Sequence, residues 1–329
     1  MEFLLGLVPV CVFLAALFLF DSYKLVPPRS LFVALGAGCA AAAVAYPLNA
    51  LLIGSSGMGL ADFTRYVSPF VEESLKAVFL VYLLATRKTG FLVDTAIQGF
   101  AIGAGFALIE NISYVVSLGS HSAILWLIRG FGTAMMHGAA TSIAGIVGKV
   151  MSDRGGSAGF RTLFPGILIA IVIHSAFNHF FIPAVATTVL IVMLLPVLMS
   201  IVFARSEEAT RRWLGVGFDT DRELLEMISS GHLAETRIGL YLQALQSRFP
   251  GEVLADMLCL LRLRLELAVQ AKGLLLMREA GFEIPPDPEA AEKFAELRFL
   301  RKAIGPTGML VIQPFLHTPE EQLRQILRA

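Results

Sequence analysis

Seven long apolar segments constrain this chain more than any other feature of its sequence. One of them reads LFVALGAGCAAAAVAYPLNALLI. A membrane-spanning helix needs about 20 mainly apolar residues, and only helices and closed barrels satisfy their backbone polar groups within lipid. The composition agrees, since 56% of the 329 residues are hydrophobic and 16% are charged. The sequence therefore predicts an all-α polytopic membrane bundle of about seven spans, at residues 3–20, 31–53, 69–86, 91–118, 123–148, 163–181 and 184–204.

The pattern changes after the last apolar segment. Residues 1–203 carry 10 Lys and Arg against 8 Asp and Glu, whereas the other 126 residues carry 16 and 18. Leu, Ile and Met recur at helical spacing in this second part, and Gly305-Pro306 predicts the end of one of its helices. We expect a membrane domain at 1–204 and a cytoplasmic helical domain at 205–329 with a regulatory or partner-binding role. Neither part is basic enough to predict nucleic-acid binding.

Lys and Arg in the connections predict the orientation. Basic residues occur in the 21–30, 87–90 and 149–162 connections and directly after residue 204, while the alternate connections hold only Arg65. Cytoplasmic loops are enriched in Lys and Arg. We therefore expect a multi-pass protein of the cell's inner (plasma) membrane, with its N-terminus outside and its C-terminus cytoplasmic.

Ionisable side chains interrupt the predicted spans. Such residues are costly in lipid and usually face a bundle interior or a cavity. A rise of about 1.5 Å per residue places the main ones in the outer half of the membrane, which predicts a pocket open to the outside. Arg129 and His179 are instead interpreted as interfacial or snorkelling residues. The residues predicted to meet in the pocket are Glu72, Glu73, Glu110, His137 and His174.

Two adjacent glutamates raise the question of how their roles divide. Glu72 and Lys76 are four positions apart, so they can pair on one helix face. Glu73 points about 100° away. The sequence therefore predicts Glu72 as a structural partner of Lys76 and Glu73 as a general base.

Glutamate and histidine are the side chains of water-activating hydrolases, either as general bases or as ligands of a metal. Two histidines and several carboxylates exceed what one general base needs, which favours Zn²⁺ or another divalent metal bound by Glu110, His137 and His174. The chain has no HExxH motif, and its predicted spans hold no GxSxG motif and no aspartate pair. A proton-coupled transporter or channel, which would relay protons through the same residues, and a non-catalytic membrane sensor are the alternative interpretations. No internal repeat supports a transporter.

Four motifs in order resemble the PrsW family of intramembrane proteases, which is related to the CAAX-protease-like superfamily. They read EESLK, FALIENISY, MMHGAATSIAG and HSAFNH, within residues 65–182. The resemblance implies hydrolysis of peptide bonds in membrane-anchored substrates, which in known members include an anti-sigma factor. It implies a protease domain at 1–204 and does not cover the C-terminal part. Asn178 is expected to donate a hydrogen bond to the developing oxyanion. The resulting candidate catalytic set is Glu72, Glu73, Glu110, His137, His174 and Asn178.

Overall fold

The computed structural model describes residues 2–21, 23–118, 122–155, 159–282, 287–316 and 318–328. All regular secondary structure within these ranges is helical. The chain forms two compact units, Met1–Ser206 and Glu207–Ala329. The functional roles expected for the two parts stay predictions.

Each predicted span coincides with helical residues of the first unit, and the span predicted at 123–148 is divided among two α-helices and a π-helical segment. Four helices are long and apolar enough to cross a membrane, namely Pro28–Ser56, Leu92–Ser117, Phe160–Asn178 and Ala184–Arg211, and Leu4–Leu19 is a shorter apolar helix. This count covers the described residues, and the total of about seven spans stays a prediction. The helices are α1 (Glu2–Leu19), α2 (Pro28–Ser56), α3 (Leu60–Asp62), α4 (Ser68–Ala85), α5 (Leu92–Leu118), α6 (Ala123–Leu127), α7 (Ala134–Gly155), α8 (Phe160–Asn178) and α9 (Ala184–Ser229), which continues into the second unit.

Helix α5 is the core of the membrane unit. Its apolar stretch is 83% buried, compared with 17–33% for the other three candidate spans. Small residues let the backbones of neighbouring helices approach closely. A Cβ on Gly103 would overlap the His137 carbonyl of α7, and one on Gly105 would overlap the Leu35 carbonyl of α2. These contacts fix α5 between the two helices.

Two π-helical segments lead directly into helices that carry ionisable residues. The first, π1 (Phe63–Val67), precedes α4, and the second, π2 (Ile128–Thr133), joins α6 to α7. In π1 the carbonyl of Arg65 accepts a hydrogen bond from Ser175 Oγ of α8 at 2.7 Å. The start of α4 is thereby tied to α8, which carries His174. Single π-helical turns recur at functional sites.

The second unit continues α9 and adds α10 (Arg237–Ala244), α11 (Gly251–Glu279), α12 (Ala290–Ile312) and α13 (Glu320–Arg328). Helix α12 is interrupted at Gly305-Pro306, where the sequence predicts the end of a helix. Gly305 has a φ of 73°, which bends the backbone, and the helix resumes to Ile312; proline fits this restart because its missing N–H is not needed in a first turn. Glu320 at the start of α13 binds Arg324 and Arg301. Burial raises the pKa of Glu320, but these contacts and the nearby charge of Arg264 hold it below its usual range.

Candidate active site

Helices α4, α5, α7 and α8 bring the five predicted pocket residues together. His137 and His174 are buried, as are Glu73 and Lys76 of α4. The side chains of Glu72 and Glu110 retain 13% and 26% of their exposure. The group is therefore sealed on the side of Lys76 and open on the side of these two carboxylates.

The pairing predicted for Lys76 is wrong. Its Nζ lies 2.6 Å from Glu73 Oε1, not against Glu72. Positions three and four apart are both neighbours on a helix, so helical spacing alone could not decide between the two glutamates. The surroundings decide, because Glu73 also accepts a hydrogen bond from His174 Nδ1 at 2.8 Å. Glu73 and Lys76 thus form a buried ion pair that binds α8.

Glu72 is held by neutral donors. Its Oε1 accepts hydrogen bonds from Ser68 Oγ at 2.5 Å and from Asn49 Nδ2 at 3.1 Å. Its Oε2 lies 3.9 Å from His174 Nε2. Asn49 is not among the residues predicted from the sequence, although an asparagine within the apolar run of α2 was a signal for it. With Oε1 engaged, Oε2 is the oxygen that faces the histidines.

His137 links the two sides of the group. Its Nδ1 lies 3.0 Å from Lys76 Nζ and its Nε2 lies 2.9 Å from Glu110 Oε2. Because a lysine ammonium has only donors and a carboxylate only acceptors, Nδ1 accepts and Nε2 donates. The ring meets that of His174 edge-on, with 4.7 Å between centroids. Both nitrogens of His137 are therefore engaged within the group.

Arg129 is not the interfacial residue that the sequence predicted. It is buried, and its Nε donates to Asn111 Oδ1 at 2.8 Å. Its Nη2 lies 3.2 Å from Glu110 Oε1, in an ion pair rather than an aligned hydrogen bond. The guanidinium also lies over the Tyr114 ring, 3.6 Å from its centroid. An arginine near a span end snorkels only when its path to water is more favourable than a partner within the bundle, and here Glu110 supplies that partner.

Asn178 and His179 lie beside the group rather than in it, by their described contacts. Asn178 Nδ2 donates to the Thr64 carbonyl of π1 at 2.8 Å. His179 Nδ1 contacts the Ser175 carbonyl at 2.7 Å, and its ring packs against Tyr66. Asn178 follows His174 by one helical turn, a displacement of about 6 Å along the axis, which explains why its amide reaches π1. Its role as an oxyanion donor stays a prediction.

Glu72, His137 and His174 form the group best placed to hold a metal. Each offers one ligand atom, and these atoms lie within 4.8 Å of one another. This group contains Glu72 in the place where the sequence predicted Glu110. Two histidines and a carboxylate are the ligand set of many catalytic zinc sites.

The hydrogen bonds around these three residues fit a metal on the His174 side. The bond to Glu73 places the proton of His174 on Nδ1, so Nε2 keeps its lone pair and faces Glu72. A carboxylate that orients a ligating histidine in this way is usual around metals. His137 would exchange one of its two present hydrogen bonds for the metal. The donor set and its support thus fit a divalent cation.

Charge is unevenly balanced among the three carboxylates. Glu73 pairs with Lys76, and Glu110 pairs with Arg129. The described contacts of Glu72 include no lysine or arginine within ion-pair distance, only neutral donors and His174. Glu72 is therefore the carboxylate whose charge is available to a bound cation.

Comparison with known proteins identifies the family. No curated protein and no solved structure gave a match. One family model does match, described as PrsW family intramembrane metalloprotease, and it covers residues 26–204. These residues are more than half of the chain and include all four helices of the Glu/His group. The chain therefore belongs to the PrsW family of intramembrane metalloproteases.

Proposed function

We propose that this protein is an intramembrane endopeptidase that activates water at Glu72, His137 and His174. The observation that carries the proposal is the approach of their three ligand atoms to within 4.8 Å, from three different helices. Such convergence of ionisable groups within apolar spans is costly unless the residues act together. The membership in a family of metalloproteases supports the same chemistry.

A divalent cation such as Zn²⁺ would be held by these three residues and would supply the Lewis acidity that activates water. Glu73 orients His174 through Nδ1, and Lys76 balances the charge of Glu73. The assignment of Glu73 as general base depended on a Glu72–Lys76 pair, which is not the pair that forms. We assign the transfer of protons to Glu110, because it is the most exposed of the three carboxylates and contacts His137 Nε2.

The substrate that fits this site is a membrane-anchored protein whose scissile bond reaches the polar group between α4, α5, α7 and α8. An anti-sigma factor is the candidate implied by the resemblance to known members of the family. We propose the inner membrane as the location, with the N-terminus outside. Residues 205–329 are proposed to be a cytoplasmic domain with a regulatory or partner-binding role.

The test combines metal analysis with cleavage. The purified protein is analysed for bound metal, and is then reconstituted in liposomes with a panel of single-span membrane proteins whose products are identified by mass spectrometry. We expect one metal ion per chain, cleavage within or next to the span, and loss of cleavage after chelation. Cleavage that persists after complete metal removal would contradict the metal-dependent mechanism and favour a metal-free glutamate and histidine mechanism. Absence of cleavage together with proton flux across the liposomes would favour the transporter.

A further inference from the structure

The proposed chemistry does not explain why a buried arginine lies next to the group. Arg129 is only 9% exposed and lies in π2, outside the four sequence motifs. Buried charges in spans persist when they are paired, and they mark functional sites by default. Its partners are Glu110, Asn111 and the Tyr114 ring, all on α5. Arg129 therefore contacts one helix at three points.

The π-helical turn explains how Arg129 reaches the same carboxylate as His137. Positions eight apart on an uninterrupted α-helix differ by about 80° around its axis. A π-helical turn accommodates one extra residue. The angle between Arg129 and His137 around the helix axis therefore falls to that of positions seven apart, about 20°. Because π2 begins at Ile128, the extra residue lies between Arg129 and His137. Both side chains thereby face Glu110 from one helix.

The two oxygens of Glu110 are divided between these partners. Oε1 pairs with Arg129 at 3.2 Å, and Oε2 contacts His137 Nε2 at 2.9 Å. A carboxylate rotates readily about its terminal torsion unless a contact fixes it. Arg129 itself is held by the bond from its Nε to Asn111, and Asn111 is held by the Gly6 carbonyl of α1. The orientation of Glu110 is therefore set by a chain of contacts that starts outside the motifs.

We infer that Arg129 is a positioning residue that fixes Glu110 against His137, and through His137 prepares the metal group. This inference rests on the proposed function. It gives a role to a residue that does not itself touch the metal or the substrate. Partners that hold a ligand in this way typically contribute about 10–100-fold to metal affinity or activity.

The experiment compares Arg129→Gln with Arg65→Gln in the full-length purified protein. Arg65 is the arginine of the other π-helical segment, and no ion pair of its side chain occurs among the described residues. Zn²⁺ affinity is measured by competition with a chelator, and the site geometry is followed by the visible absorption of bound Co²⁺. We expect Arg129→Gln to weaken Zn²⁺ binding about 10–100-fold and to change the Co²⁺ spectrum. Arg65→Gln should leave both unchanged.

A double-mutant cycle tests whether Arg129 acts through Glu110. In the Glu110→Gln background, Arg129→Gln should cause no further loss of Zn²⁺ affinity or cleavage rate, because interacting residues give non-additive effects. Additive losses, or wild-type affinity in Arg129→Gln, overturn the inference. If Arg129→Gln does not fold, the Arg129→Lys variant is used instead, because lysine keeps the charge but not the planar fork. Its Zn²⁺ affinity should fall while its thermal stability stays unchanged. Wild-type Zn²⁺ affinity in this variant overturns the inference.

The wild-type protein tests the proposed function independently of the Arg129 variants. A wild-type protein that cleaves substrate without binding metal overturns the metal-dependent mechanism. The positioning inference is then decided by the cleavage rates of the four proteins of the cycle, which are the wild type, Arg129→Gln, Glu110→Gln and the double variant. Non-additive rates support the inference, and additive rates overturn it.

Discussion

At the scale of single residues, Glu72 and Glu73 divide two tasks between neighbouring positions. Glu73 is buried within the helix bundle, where it binds Lys76 at 2.6 Å and His174 at 2.8 Å. Glu72 is one position earlier, where its Oε1 accepts from Ser68 and Asn49 and its Oε2 faces His174. The inner carboxylate therefore balances charge and orients a histidine, whereas the outer one remains available to a cation.

Glu72→Gln and Glu73→Gln should consequently fail in different ways. Removing one partner of a buried ion pair leaves the other charge uncompensated and costs about 3–5 kcal/mol, so Glu73→Gln should lower the thermal unfolding temperature. Glu72→Gln retains an oxygen for Ser68 and Asn49 and should unfold like the wild type, but it should lose metal. The measurements are thermal unfolding in detergent and metal content after purification.

The control for this comparison is Lys76→Met in the Glu73→Gln background. It removes the charge that Glu73→Gln leaves unpaired, so stability should recover, because replacing both members of a buried pair is often neutral or stabilising. The division of roles would be refuted by a stable Glu73→Gln variant combined with an unstable Glu72→Gln variant.

Sequence patterns predicted which residues meet here but not how they pair. Glu72, Glu73, Glu110, His137 and His174 do converge, since ionisable groups in apolar spans have few places to go. Lys76 was matched to the wrong glutamate because positions three and four apart are both adjacent on a helix. Arg129 was assigned to the membrane interface and Asn49 was not singled out, because an arginine near a span end and a lone asparagine in a span resemble ordinary interfacial and structural residues. Their partners are on other helices, and the spacing of residues within one segment does not indicate contacts between helices.

At the scale of helices, the approach of α5 to α7 determines where His137 lies. Gly103 of α5 lies against the His137 carbonyl so closely that any side chain would overlap it. Backbone atoms cannot yield as a flexible side chain can. The position of the histidine therefore depends on the absence of a single methyl group on the facing helix.

Gly103→Ala should push α7 away from α5 and disturb the metal group. Overpacking of this kind typically costs about 1–3 kcal/mol, and we expect a lower unfolding temperature together with weaker Zn²⁺ binding. Gly36→Ala in α2 is the matched control, because no atom of another helix among the described residues lies within 4 Å of the added methyl group. There alanine should be neutral or stabilising, since it favours a helix by about 1 kcal/mol over glycine. Equal stability and metal affinity in the two variants would show that the close approach does not position His137.

At the scale of the whole molecule, the apolar segments predicted the positions of the helices, whereas the total of about seven spans stays a prediction. Helix α4 carries Glu72, Glu73 and Lys76 within 18 residues, so the residues of the site make it less apolar than an ordinary span. The predicted span at 123–148 is divided by π2, which is where Arg129 enters the bundle. Four helices are long and apolar enough to cross a membrane on those two properties. Of the four helices of the Glu/His group, α5 and α8 qualify on these two properties, whereas α4 and α7 do not.

The orientation of the molecule can be tested at two exposed positions with cysteine labelling. Ser120 and Ser157 are natural choices from the sequence, but they lie outside the described residues. Ser56, at the end of α2, and Thr86, after α4, are exposed, and α4 separates them along the chain. The three native cysteines are first replaced, so that each variant carries one thiol.

A membrane-impermeant maleimide should label Ser56→Cys in intact cells and Thr86→Cys only after permeabilisation. The physical reason is that Arg87 and Lys88 follow Thr86 directly, and basic residues flanking a span are retained on the cytoplasmic side. This orientation would place the open, carboxylate side of the group towards the outer half of the membrane. Labelling of Thr86→Cys from outside intact cells would reverse the orientation, and it would also place residues 205–329 outside the cell.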